Sequence, residues 1–264
     1  MKLKRSLAVL LFSMIGLTVF AQTKVDSSFH LYILAGQSNM AGRGKITAEY
    51  KDLQYNRVLM LDQSSAWVPA RHPLHFDKPK SAGVGPGLSF GAAMSEAYPA
   101  DTIGLIPCAV GGTSITRWEP GAYDQATGTH PYDDALLRIK EAMTRGVVKG
   151  VIWLQGESDS NPRAASLDYL DKLATLIAAF RKITGNPALP FVAGELGTYR
   201  DNYQLFNQRL SQLPLKVPYT AVVSSEGFQH KGDTTHFDSP SATLYGKRFA
   251  EGMLRLQQQA EVKP

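Results

Sequence analysis

His30-Leu31-Tyr32-Ile33-Leu34-Ala35-Gly36-Gln37-Ser38-Asn39-Met40-Ala41-Gly42 is the stretch on which the fold of this 264-residue chain turns. Residues 30–35 form a short, mainly apolar run rich in strand-favouring side chains, the pattern of a strand buried on both faces. Gly36 then permits a sharp turn, and the polar Gln37-Ser38-Asn39 leads into a helix. A serine two residues past a glycine at a strand-to-helix turn has its hydroxyl exposed and its own N–H directed to where an oxyanion would form. Capping of the following helix is the alternative use of Ser38. Position 40 is Met rather than Gly, so the G-x-S-x-G elbow of the α/β-hydrolases is absent.

Outward from this stretch, Arg57 to Leu61, Thr102 to Pro107, Gly150 to Leu154, Pro190 to Ala193 and Tyr219 to Val223 repeat the buried-strand pattern. Helical patterns fill the gaps. Leu167, Leu170, Leu173, Ile177 and Phe180 recur at steps of three and four and form one apolar stripe, leaving Asp168, Asp171 and Lys172 off it. Asp133 and Asp134 suit the solvated first turn of another helix. The pair Ser239-Pro240 predicts a helix start, with Ser as cap and Pro in the first turn, continuing through Leu244, Phe249 and Met253. The Gly/Pro-rich residues 81–87 read as a surface loop leading into a helix. Strands that alternate with helices require crossovers, so the expected class is a three-layer α/β/α sandwich on a mostly parallel sheet. Ligands in such folds sit outside the carboxyl ends of the strands.

Composition narrows the rest. The chain is 44% hydrophobic and 19% charged, the balance of an ordinary globular protein. Lys2, Lys4 and Arg5 precede the apolar run Leu7 to Phe20, and Val19 and Ala21 form a small-residue cleavage pattern, so residues 1–21 read as a signal peptide and 22–264 as one domain. The leader carries three basic and no acidic residues, which lowers the formal charge from +5 to +2 in the mature chain. That bias is too weak to imply nucleic acid or anionic lipid as a partner. The expected location is the periplasm or the medium, with no membrane attachment after cleavage. Cys108 is the only cysteine, so no intrachain disulfide can form, and its apolar neighbours point to an inert thiol.

Several segments after the strands carry chemistry. Gly111-Gly112 follows the run ending at Pro107 and exposes backbone N–H groups; a plain turn is the other reading, and Gly112 is the expected oxyanion donor. Gln155-Gly156-Glu157 places an amide and a carboxylate at the same edge, and the Gln155 side chain is a candidate third donor. In Asp233-Thr234-Thr235-His236, a carboxylate three residues before a histidine can fold back on one ring nitrogen and leave the other to face Ser38. Gln37 and Asn39, flanking the serine, are candidate substrate contacts. Arg117 and Trp118 are two more, the indole serving as a platform for a sugar face or as filling for a crevice. His72, His75 and Asp77 have a loose metal spacing, but no helix places both imidazoles on one face, and no metal or other cofactor is expected.

Gly36-Gln37-Ser38-Asn39-Met40, the Gly111-Gly112 turn, Gln155-Gly156-Glu157 and Asp233-x-x-His236 together resemble the successive motif blocks of the sialate O-acetylesterase-like, carbohydrate esterase family six branch of the SGNH hydrolases. The resemblance spans the chain from about Leu31 to the last helix. It implies a flavodoxin-like sheet, a serine nucleophile at Ser38, a catalytic His236, no metal, and deacetylation of sugars. Gln155 stands where the wider superfamily has Asn, as is typical of this branch. The resemblance also leaves two carboxylates open as partners of His236, Asp233 and Glu157. The expected substrate is an acetylated oligo- or polysaccharide, acetylated xylan first and O-acetylated sialic acid second. A non-catalytic carbohydrate-binding module on the same fold is the rival class, and a lipase or thioesterase a third, disfavoured by the polar loops after the strands.

Overall fold

The computed structural model describes residues 25–160 and 168–262. β1 (Asp26–Gly36) runs into α1 (Ser38–Ala41) and α2 (Ala48–Lys51), followed by β2 (Val58–Leu61) and β3 (Trp67–Pro69). Next come α3 (Gly87–Ala97), β4 (Thr102–Pro107), a 3-10 turn (Ile115–Trp118), α4 (Pro131–Met143) and β5 (Gly146–Leu154). The chain continues through α5 (Tyr169–Thr184), β6 (Phe191–Gly194), α6 (Asp201–Leu210), α7 (Leu213–Lys216), β7 (Thr220–Val223) and α8 (Ser239–Val262).

The seven strands lie in the order β3-β2-β4-β1-β5-β6-β7, all parallel except β3, which pairs antiparallel with β2 at the edge. The sequence pattern missed β3, because three residues ending in proline carry no periodicity. Pro69 is tolerated there because an edge strand has no outer neighbour to receive its missing N–H. β1 shows why the sheet is buried on both faces. Leu31, Ile33 and Ala35 join a core with Ile139 of α4, Leu173 and Phe180 of α5 and Phe206 of α6. Tyr32 and Leu34 point the other way, into a core with Phe90 of α3 and Tyr245, Phe249 and Met253 of α8. The result is the expected three-layer sandwich.

Within the α5 stripe, Leu173, Ile177 and Phe180 are buried as expected, while Leu167 lies outside the described residues, as do residues 1–21 of the leader reading. Among the described residues no helix is long and apolar enough to cross a membrane. Burial pushes the Cys108 thiol up to about 12, in keeping with an inert side chain.

Two local readings are corrected. Ser239 does not cap α8: its hydroxyl donates to the Lys45 carbonyl (2.7 Å), and Asp238 Oδ1 accepts from the Ser241 N–H (2.9 Å) instead. A carboxylate is the better partner for a helix N-terminus, since it meets the positive end of the helix dipole as well as a free N–H. The second correction concerns residues 81–87, of which Gly83 to Gly87 are buried rather than on the surface. Gly44 and Val84 exchange backbone hydrogen bonds (3.0 and 2.8 Å), and the Gly83 N–H donates to the Gly42 carbonyl (3.0 Å). This segment therefore braces the chain just beyond Ser38.

Since β4 and β2 lie on one side of β1 and β5, β6 and β7 on the other, the winding reverses at β1, and in such sheets the carboxyl end of the strand at the reversal is where ligand sites form. Gly36 closes that end with φ +131°, and a Cβ built on it would lie 2.2 Å from the Leu154 carbonyl oxygen. The next residue, Gln37, donates its N–H to the same oxygen (2.9 Å). Gly36→Ala is therefore expected to destabilise the fold by roughly 3 kcal/mol or more, combining backbone strain with displacement of β5. Urea unfolding of the variant measures this, and a loss below about 1 kcal/mol would show that the crossing is looser than described.

Candidate active site

Ser38 is the first residue of α1, just past the carboxyl end of β1, and is only 6% exposed. Its Oγ lies 3.0 Å from His236 Nε2, and His236 Nδ1 lies 2.7 Å from Asp233 Oδ2. With Nδ1–H donating to the carboxylate, Nε2 is left to accept the serine proton. Asp233 Oδ1 accepts from the N–H groups of Thr235 (3.0 Å) and His236 (2.8 Å), so the short loop folds around its own carboxylate. Desolvation acts to raise the Asp233 carboxyl, but the hydrogen bonds from His236 and Thr235 outweigh it and hold the group well below the ordinary carboxylate range. Burial lowers the His236 pKa from its usual 6.5, and the bond to Asp233 offsets this only in part, so the imidazole is neutral near pH 7.

The loop is fixed from both flanks. Arg200 donates to the Thr234 carbonyl (3.1 Å) and to the hydroxyls of Thr234 (3.1 Å) and Thr235 (2.8 Å). Asn39, one residue past Ser38, accepts from the Phe237 N–H (3.0 Å) and donates to the Thr235 carbonyl (3.0 Å) and to Glu157. Of the two carboxylates left open by the sequence, Asp233 is the one on His236. Glu157 makes no ion pair or hydrogen bond with His236 among the described residues. Its Oε2 is buried without a partner among the described residues, and burial pushes its pKa up to about 7, against the opposing bond from Asn39.

The sequence placed three side chains at the substrate that the structure turns inward. Gln155 is fully buried: its Nε2 donates to the Thr113 carbonyl (3.1 Å), Gln37 Oε1 (3.1 Å) and Asp159, and its Oε1 accepts from Tyr169 (2.9 Å). That amide has no donor left for an oxyanion. Gln37 is buried beneath the serine as a partner of Gln155, and Trp118 is 2% exposed with its indole N–H on Thr113 Oγ1 (3.2 Å). The physical reason is common to the three: each buried amide or indole needs a partner, and the interior supplied one. Asn39 likewise spends its amide on the His236 loop. Arg117 is exposed, donating to the Tyr123 carbonyl (2.9 Å).

Gly112 is exposed, with φ +88°, and its N–H donates to no other group among the described residues. Its carbonyl accepts from Ser158 Oγ (3.1 Å), and the N–H of Gly111 donates to Asp77 Oδ2 (2.8 Å). Asp77 in turn receives Arg43 Nη2 at 2.7 Å. Arg43 follows the serine motif directly, and that adjacency was the one available sign of its place here. Asp77 stood only in a loose histidine spacing, and His72 and His75 are both buried. Among the described residues no group of three metal-ligating side chains is assembled. The Lys78 ammonium lies on the same rim, 3.6 Å from where a Cβ on Gly112 would stand. A hydroxyl bonded to a neutral imidazole, with a backbone N–H at the same sheet edge that has no partner among the described residues, is an arrangement fit for acyl transfer.

Comparison with known proteins agrees with that chemistry. The family described as carbohydrate esterase, sialic acid-specific acetylesterase, matches residues 28–255. A probable carbohydrate esterase of Arabidopsis thaliana is 33% identical over 248 residues, covering 85% of this chain and 90% of the plant protein. The crystal structure of that Arabidopsis protein superposes with a TM-score of 0.75 at 30% identity, over 86% of this chain and 98% of that one. At 18% identity, NanS has the same fold, with a TM-score of 0.66 over 89% of this chain and 99% of its own.

Glu157 generates a pH prediction. A carboxyl raised from 4.5 to about 7 on folding binds its proton more tightly in the native state. Its contribution is therefore full below pH 4.5 and is lost as pH rises to 7, amounting to roughly 3 kcal/mol. Urea unfolding between pH 4.5 and 7.5 should show this decline in the parent and a flatter profile in Glu157→Gln; equal slopes would count against the buried carboxyl.

Proposed function

The chain belongs to the carbohydrate esterase, sialic acid-specific acetylesterase family, and from that membership we propose a serine mechanism in which Ser38 removes O-acetyl groups from sugars. The observation that carries the proposal is the chain of contacts Asp233–His236–Ser38, at 2.7 and 3.0 Å. His236 takes the hydroxyl proton as Ser38 Oγ attacks the acetyl carbonyl carbon. The carbonyl oxygen becomes an oxyanion held by the N–H groups of Ser38 and Gly112. Collapse breaks the bond to the sugar oxygen, which leaves with the proton from His236. Water then attacks the acetyl-enzyme with His236 again as base, releasing acetate and restoring Ser38.

Acetylated xylan or its oligosaccharides are the substrate we propose, and the reading is supported by the shallow setting of the site. Gly112 and its neighbours Ser158 and Lys78 are all exposed, which suits an acetyl group projecting from a polymer rather than a ligand that must be engulfed. A second reading, O-acetylated sialic acid, is favoured by the family description and by two lysines. Lys78 lies beside Gly112, and Lys231 Nζ is 3.7 Å from Asp233 Oδ2, so cationic groups flank the site where a sugar carboxylate would approach. Residues 1–21 as a cleaved leader would place the enzyme in the periplasm or the medium, where such polymers are met.

Acetate release from acetylated xylan and from O-acetylated sialic acid tests the proposal. Ser38→Ala and His236→Ala are expected to lower kcat by about 10⁴-fold or more while remaining folded. Release from xylan alone selects the first substrate, release from the sialic acid alone the second, and turnover that survives Ser38→Ala removes the serine mechanism. The pH profile provides a separate check. Because the neutral imidazole is the base and its pKa lies below 6.5, kcat/KM should rise through an ionisation below that value and be flat above it. Asp233→Asn should move this limb to still lower pH and reduce the plateau, since the group that raises the imidazole pKa is gone.

A further inference from the structure

Arg43 and Asp77 form an ion pair at 2.7 Å with side chains only 4% and 3% exposed, and among the described residues neither is hydrogen-bonded to Ser38, His236 or Asp233. Their position gives them another use. Arg43 Nη1 donates to the Gly42 carbonyl (2.8 Å), at the end of the short helix that begins with Ser38, while Nη2 donates to Asp77. The same Asp77 oxygen accepts from the Gly111 N–H (2.8 Å). One bonded path thus joins the segment carrying the serine to the turn carrying Gly112.

The peptide that presents the Gly112 N–H is held from both sides. Before it, Gly111 N is bound to Asp77; after it, the Gly112 carbonyl accepts from Ser158 Oγ (3.1 Å), and the Thr113 carbonyl accepts from Gln155 Nε2 (3.1 Å). A peptide clamped at its flanks cannot rotate to lose its aim, and a donor fixed before the reaction costs no reorganisation when charge develops. The close approach is visible at Gly111, where an added Cβ would stand 2.3 Å from Arg43 Nη2 and 2.8 Å from Asp77 Oδ2. Only glycine lets the turn settle onto the pair.

We propose that Arg43 and Asp77 are positioning residues for the oxyanion turn, setting the Gly112 N–H relative to Ser38 without touching substrate. This rests on the acyl-transfer reading above. A positioning role predicts a loss confined to the transition state: kcat falls, KM does not, and affinity for a tetrahedral boronate falls with kcat. A purely structural role would instead lower the unfolding midpoint and reduce the active fraction, leaving kcat per folded molecule unchanged.

The experiment compares the parent, Asp77→Asn and the double variant Arg43→Met/Asp77→Leu. The double variant replaces the buried pair with apolar side chains of similar bulk and so leaves no unpaired charge behind. Each is assayed with p-nitrophenyl acetate, with methylboronic acid as inhibitor and with thermal unfolding as control. For the double variant we expect kcat down about 100-fold, KM within about twofold and a boronate Ki raised in step with the fall in kcat. Asp77→Asn, which keeps an acceptor for Gly111, should fall between the two. If the double variant does not fold, Asp77→Asn alone decides. Parental kcat and Ki in the folded variants would overturn the positioning role alone. Absence of Ser38-dependent turnover in the parent would overturn the acyl-transfer reading, and this inference with it.

Discussion

At Gly36 the backbone of β1 lies against the Leu154 carbonyl of β5, closer than any side chain would permit, and the same oxygen then takes the Gln37 N–H. Ser38 is two residues further on. The crossing fixes the direction in which the chain leaves the central strand, and with it the position of the serine hydroxyl, the buried Gln37 below it and Asn39 beside it. Neighbouring strands then deliver their own termini to the same edge: β4 brings Gly111 and Gly112, and β5 brings Gln155 to Ser158. The sheet works as a ruler, because parallel register places the ends of successive strands at one level.

Beneath that edge lies a polar interior that must be fully paired to be tolerated. Tyr169 receives the Trp153 indole N–H (3.1 Å) and donates to Gln155, whose amide reaches Gln37, Thr113 and Asp159; Asp159 also accepts the Ile115 N–H (2.9 Å). Burial raises the pKa of Asp159, against the bond from Gln155, so desolvation disfavours a charge in this network while the amide opposes that effect. The network joins α5, the 3-10 turn and the ends of β1 and β5 into one unit below the serine.

Much of this was legible in the sequence, and the limits were physical. The strand before Ser38 was readable because burial on both faces demands an apolar run, and Asp233 with His236 because a three-residue return on one loop is a local matter. The layer arrangement followed from alternation alone. What sequence could not supply was side-chain direction after the strands. Gln155 and Trp118 have the chemistry of substrate contacts, yet both turned toward partners contributed by distant segments, Tyr169 and Thr113 among them. Glu157 is close to Asn39 only because β5 lies beside β1, and Asp77 meets Arg43 from 34 positions along the chain. Such pairings depend on the finished packing, and no spacing rule announces them.

The contact between Ser38 and His236 spans 198 residues, and so does the bond that ties Asn39 to Phe237. On a growing polypeptide the serine segment emerges early, whereas its imidazole partner arrives only with the last loop before α8. Until that loop docks, the hydroxyl lacks its imidazole partner, and a chain interrupted anywhere between residues 38 and 236 carries the serine without it. The order of synthesis thus leaves this contact unmade until nearly the whole sandwich is present.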